Sequence, residues 1–167
     1  MKHPKRLACF FLIASILTAG LIFWFSAQNG IQSQALSDGV TLRVAKIIRP
    51  GFERMKRREQ LSYLEMLSAV IRKNAHFCEY MLLGFNLMCF FHFRDLKMSS
   101  RNCRLWAWGV ATLYACTDEL HQLFVNERSA QALDVQIDSA GSLAGTFVAA
   151  LGLALLAQIL DRKRADD

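Results

Sequence analysis

The sequence predicts an all-α integral membrane protein: a four-helix transmembrane bundle with an amphipathic helical insertion between spans 1 and 2. Three observations carry that expectation. The 167 residues are 53% hydrophobic and 20% charged, a richer apolar share than soluble domains have. The apolar residues come in runs long enough to cross a hydrocarbon core of ~30 Å. The basic residues lie beside those runs. Nothing alternates as the strands of a membrane barrel must. The length suits one domain, residues 1–167.

Span 1 is placed at residues 7–25. Lys2, Lys5 and Arg6 precede it, as they would a signal peptide, but the run is long for one. A cut after Ala27 would also put bulky Phe25 where a small residue is needed. The expectation is a retained span, closed by Ser26, Gln28 and Gly30. Residues 33–73 have a different character. Leu36, Val40, Val44 and Ile47 share one helical face, Pro50-Gly51 breaks the pattern, and Leu61, Leu64, Leu67 and Ile71 start a second stripe. Two amphipathic helices at the interface or packed on the bundle are expected there. Arg54, Lys56, Arg57 and Arg58 between them read as a solvated face near lipid headgroups. Spans 2, 3 and 4 are placed at residues 75–93, 105–124 and 140–160. Cys9, Cys78, Cys89, Cys103 and Cys116 are odd in number, form no C-x-x-C pair and read as small core hydrophobes.

The net charge of +6 suits nucleic acid or anionic lipid. No nucleic-acid motif is present, so membrane lipids are the expected partners and nucleic acid is not. Lys and Arg divide evenly between the two sides of a four-span chain. Weighting those nearest the span ends puts both termini and the 94–104 loop in the cytoplasm, with Arg72 and Lys73 against it. The chain is then a multi-pass protein of the cell (inner or plasma) membrane.

With four spans, the end of span 1, the start of span 2, the end of span 3 and the start of span 4 meet on one membrane face. The chain places Gln28, His76 and Glu79, residues 118–122, and Asp134 and Asp138 there. Ionisable groups beside hydrocarbon usually face a bundle interior or a wet cavity. Lys73, His76, Glu79 and Tyr80 share a helical face, as do Asp118, His121 and Gln122, with Glu119 about 100° from Asp118. Crowded carboxylates can keep one of their number protonated as a general acid. The candidates for acid–base work are His76, Glu79, Asp118 and Glu119. Candidates for ligand contact are Gln28, Lys73, Gln122, Arg128, Asp134 and Asp138, with Lys73 and Arg128 able to hold a phosphate. His and carboxylates can take a divalent cation, but no H-E-x-x-H is present and no metal set is assigned. The plain alternative is a hydrogen-bonded network that locks the helices in register. Tyr80, Trp106 and Trp108 read as interfacial anchors or packing. Gly141 and Gly145, four apart, should admit a neighbouring helix.

These residues, in this order, resemble VanZ-like proteins: Phe25-Ser26-x-Gln28-x-Gly30, Lys73-x-x-His76-Phe77-x-Glu79-Tyr80-x-x-Leu83-Gly84, Asp118-Glu119-x-x-Gln122-x-Phe124, Arg128, Asp134 and Asp138-x-x-Gly141-x-x-x-Gly145. Asn126-Glu127 replace a usual Pro-Gly turn, and Asp138 stands where Asn is common. The resemblance implies a single VanZ-like domain in a bacterial membrane. Its namesake is linked to resistance to teicoplanin, a glycopeptide acting at the outer membrane face, and the family has no settled biochemical activity. The first functional expectation is therefore an envelope protein that lowers glycopeptide susceptibility at that face without catalysis. The second is an intramembrane enzyme acting on a lipid-linked phosphate or glycan at the outer leaflet. A lipid-linked cell-wall intermediate or a glycopeptide is the expected partner, and no cofactor is indicated. A transporter is less well served, since four spans are few and no inverted repeat is visible.

Overall fold

Among the described residues five helices follow one another: α1 (Pro4–Ser26), α2 (Gly30–Ile48), α3 (Arg57–Arg94), α4 (Ser100–Gln122) and α5 (Ala132–Asp166), with a 3-10 turn at Phe52–Arg54. The structure, a computed structural model, describes residues 4–28, 30–95, 97–125 and 131–166, those at 30–37 and 164–166 by backbone alone. Among the described residues there is no strand. Pro4–Ser26 and Ala132–Lys163 are each long and apolar enough to cross a membrane.

α3 is the axis of the fold, and every other helix packs on it. The second amphipathic stripe and the second expected span are not separate elements. They form one helix of 38 residues, because nothing between Leu61 and His76 breaks it and Asn74 folds its amide back onto the Val70 carbonyl at 2.8 Å. α2 packs mainly on the first half of α3, so the insertion is a helical hairpin. Its small core joins Ala45, Phe52 and Leu67. Its turn has a plain local cause: Phe52 N donates to Arg49 O at 3.1 Å, Pro50 takes the second position, and Gly51 the third at φ 84°. That third position of a type II turn needs positive φ, which glycine adopts without strain. Lys46 pairs with Glu53 at 2.8 Å across the turn and holds that carboxyl below its usual range.

The remaining helices bury small and polar residues and expose large apolar ones. α1 turns Ala8, Ser15, Thr18, Ile22 and Ser26 inward, while Phe10, Ile13, Ile16, Leu17, Leu21 and Trp24 are exposed. α4 turns inward Cys103, Ala107, Ala111 and Ala115, four apart, and exposes Leu105, Trp106 and Leu113. The hydroxyls of Ser15 and Thr18 are satisfied by carbonyls one turn back, at 2.8 Å each. Thr18 also accepts from Asn86 of α3, Tyr114 OH donates to Ala19 O at 2.7 Å, and Trp108 Nε1 donates to Ser139 Oγ at 2.9 Å. Trp108 is thus a link between α4 and α5. Water-soluble bundles show the reverse pattern, with large apolar side chains inside.

α5 meets α3 backbone to backbone. A Cβ on Gly84 would overlap the Ser142 carbonyl, one on Gly141 the Phe77 carbonyl, and one on Gly145 the Met81 carbonyl. Gly141 and Gly145 therefore do admit a neighbouring helix, and that helix is α3. Gly145→Ala should destabilise the protein by about 1–3 kcal/mol, the usual range for forced overpacking. Gly109→Ala, on open space inside α4, should instead stabilise by about 0.5–1 kcal/mol, the helix-propensity gain of alanine over glycine. Thermal unfolding of the purified protein checks both, and equal melting points for the two variants would refute the close contact.

Candidate functional site

Four helices bring polar groups together where α1 and α4 end and α5 begins, beside the middle of α3. Asp118, the first member, is 3% exposed. Its Oδ2 accepts from Ser26 Oγ at 2.7 Å and from Gln122 Nε2 at 3.4 Å, and Gln122 lies 3.5 Å from Ser26 Oγ. The end of α1 and the end of α4 are joined through this one carboxylate oxygen.

Glu119 sits about 100° further round α4, yet it too is buried, at 5% exposure. Neighbouring helix positions can both be buried when a helix touches partners on two sides. Asp118 faces α1, while Glu119 Oε2 accepts the backbone N–H of Gln131 at 2.9 Å, just before α5. Gln131, the residue that leads into α5, is therefore fastened to α4 by a carboxylate.

On α3, Lys73, His76, Glu79 and Tyr80 share one face, as their spacing requires. Lys73 Nζ pairs with Asp134 Oδ1 at 2.5 Å, both side chains partly exposed. Two of the expected ligand contacts thus neutralise each other. His76 Nδ1 lies 4.0 Å from Glu79 Oε2. Gln28 is half-buried just past the end of α1. His121 turns its ring toward Phe23, with centroids 4.7 Å apart. Asp138 is 1% exposed on the first turns of α5. Arg128 lies outside the described residues, as do Asn126 and Glu127.

Tyr80 is packed in the buried core rather than anchored at an interface. It is fully buried, its ring 6.2 Å from that of Tyr114, and its hydroxyl has no hydrogen-bond partner among the described residues. The same holds for Asp118 Oδ1 and Asp138 Oδ1. Buried polar atoms without partners are uncommon and mark water, ligand or chemistry. The sequence pointed to Tyr80 by its spacing from His76 and Lys73. Ser26 is a working member of the cluster that sequence reasoning did not select. Its signal was the Phe25-Ser26-x-Gln28 motif, and a serine ending an apolar helix looked like a mere stop. Among the described residues no three His, Cys, Asp or Glu donors form a set that could hold a metal ion.

Chemically, the cluster is rich in acceptors: Asp138 lies within electrostatic reach of Glu79, Asp118 and Glu119, and Tyr80 within reach of Asp118, Glu119 and Asp138. It can hold donors, relay a proton or lock helices. The fold and the cluster define a helical bundle with an apolar exterior and an acidic polar heart at one end. The chain belongs to the VanZ/LLP1 family, whose model matches residues 11–155, most of its length. No curated protein and no solved structure matches it.

The Ser26–Asp118 bond is testable by a double-mutant cycle. Ser26→Ala and Asp118→Ala, each of which removes one partner, should show a coupling of about 0.6 kcal/mol and at most ~1.7 kcal/mol in thermal unfolding, the average and the maximum for interhelical hydrogen bonds in membranes. Additive effects would mean that the two side chains do not interact.

Proposed function

We propose that the chain is a multi-pass plasma-membrane protein with four spans and cytoplasmic termini, which lowers susceptibility to teicoplanin-type glycopeptides from the outer membrane face. One observation carries the placement: a polar cluster gathered at one end of a bundle whose outside is apolar. α1, α4 and α5 expose large apolar side chains along their lengths. Residues 75–93 of α3 lie among these helices with Leu83, Leu87 and Met88 buried, so this span can be less apolar than one bathed in lipid. The cations next to the span ends, Lys5 and Arg6, Arg94 to Arg104, and Arg162 and Lys163, favour the cytoplasm for the opposite end. The many cations of the first loop belong largely to the hairpin, away from the span ends. The resistance role rests on family membership. In this reading the cluster holds the bundle in shape and presents the outer face to envelope material.

A second reading is favoured by a specific observation. A network serving only to lock helices satisfies its buried atoms, yet among the described residues Tyr80 Oη, Asp118 Oδ1 and Asp138 Oδ1 have no partner. These atoms fit an intramembrane enzyme acting on a lipid-linked phosphate or glycan, with Glu79, Asp118 or Glu119 as acid or base and His76 beside Glu79. Lys73 is engaged by Asp134, so an anionic substrate group depends on Arg128 in this reading.

Three experiments follow. Cysteines placed at Gln131 and at Lys97, in a Cys-free background, should differ under an impermeant thiol reagent applied to cells: Gln131→Cys reacts from outside and Lys97→Cys does not. The opposite pattern would reverse the orientation and remove the outer-face role. In a glycopeptide-susceptible host, expression should raise the inhibitory concentration of teicoplanin, and no rise would end the resistance proposal. Glu79→Gln and Asp118→Asn then separate the readings. A catalytic site should lose ~10²-fold or more in lipid-modifying turnover, seen in membrane lipid profiles. A structural network should lose only stability, by about 0.6–1.7 kcal/mol per bond.

A further inference from the structure

Away from the polar cluster, the closed end of the α2–α3 hairpin holds a cleft of about 510 Å³, lined in part by Arg49, Met55, Arg58, Glu59, Tyr63 and Met66. Two features set it apart from a solvated basic surface. The Arg49 guanidinium lies 4.7 Å from the centroid of the Tyr63 ring, and Tyr63 in turn packs on Phe52 of the hairpin core, centroids 6.0 Å apart. That cation is held in place before any ligand arrives, which lowers the ordering cost of binding. The walls are also mixed. Met55, Met66 and the Tyr63 ring supply an apolar side, and exposed Leu61 and Ile48 lie next to lining residues in the chain.

The charge balance gives the sign of the ligand. Glu59 opposes the two guanidiniums of the lining, and the nearby Glu53 is taken up by Lys46 at 2.8 Å. Arg54, Lys56 and Arg57 are exposed around the same turn and add to the positive field. Two planar guanidiniums from different segments suit a head with several acceptor oxygens better than a single carboxylate.

We propose that this cleft binds a phosphate monoester carried on an apolar chain. Arg49 and Arg58 contact the phosphate oxygens, and the chain lies along Met55, Met66 and the Tyr63 ring. Such a group has two sources, a phospholipid of the bilayer or a soluble amphiphilic phosphate. Along α3, Ser62 stands ~20 Å beyond Ala75, so the cleft meets the bilayer only where the hairpin leans onto it. The site is independent of the polar cluster and of the function proposed for it.

The test uses the full chain in phosphatidylcholine nanodiscs, with calorimetric titration of decyl phosphate below its micelle concentration. Arg58→Gln removes a cation of the lining, whereas Arg57→Gln removes an adjacent cation that does not line the cleft. Arg58→Gln should weaken binding ~10-fold and Arg57→Gln less than ~2-fold, as expected for losing one charge-assisted contact rather than diffuse attraction. Discs containing phosphatidate distinguish the sources. Loss of decyl phosphate binding there identifies the bilayer lipid, and unchanged binding identifies the soluble amphiphile. Equal losses in the two variants would overturn the proposal in favour of a diffuse basic surface. Equal binding of neutral decyl maltoside, or of inorganic phosphate without the chain, would overturn it as well.

Discussion

The close approach of α3 and α5 is the constraint on which the rest of the structure depends. Gly84, Gly141 and Gly145 leave no room for a Cβ between the two backbones. Packing of this kind needs no large apolar side chain and works where lipid tails remove any hydrophobic drive for helices to associate. It also sets the register. With Gly141 against Phe77 and Gly145 against Met81, the first turns of α5 stand beside the polar stretch of α3. The Lys73–Asp134 pair, four residues ahead of Phe77 on α3, follows from that register, and so does the burial of Asp138.

Around this pair, the polar groups are arranged by partner rather than by helix. Asp118 and Glu119 are neighbours in sequence but fasten different elements, one the end of α1 and the other the lead into α5. Asp118 does so through Oδ2, and its Oδ1 has no hydrogen-bond partner among the described residues. Ser26, Asn86, Thr18, Tyr114 and Trp108 extend hydrogen bonding between helices down the bundle. The interior thus combines these hydrogen bonds with a buried apolar cluster that includes Leu83, Leu87, Met88 and Phe93, while α1, α4 and α5 carry large apolar side chains on the outside.

Much of this was legible in the sequence because its signals are periodic. The i, i+3 and i, i+4 spacings of Lys73, His76, Glu79 and Tyr80 gave their shared face, and the four-residue spacing of Gly141 and Gly145 gave a helix contact. Pro50-Gly51 gave the turn. What periodicity does not carry is continuity and partnership. The change from an amphipathic to an apolar pattern near Ala75 looked like a boundary, but it records a change of neighbours along one uninterrupted helix, from α2 to α1, α4 and α5. Pairings such as Lys73 with Asp134 or Ser26 with Asp118 join residues far apart in the chain, and no local pattern encodes them. Ser26 and Tyr80 were undervalued for the same reason, since their roles arise from what other helices bring to them.

That unbroken α3 also has a mechanical side. Its inner half is clamped by α5 from Phe77 to Gly84, while its other half carries the hairpin as an arm. From Phe77 to Arg57 the helix rises ~30 Å. A pivot of about 5° at Phe77 would therefore sweep the hairpin's end through roughly 2–3 Å, taking the same helix rise. Glu79, inside the clamp and two residues from that pivot, would move by about a quarter of an ångström, within ordinary thermal displacement. The helix is a lever with unequal arms: large excursions at its tip reach the acidic cluster only as small adjustments, so the tip can bend freely without tearing the cluster apart.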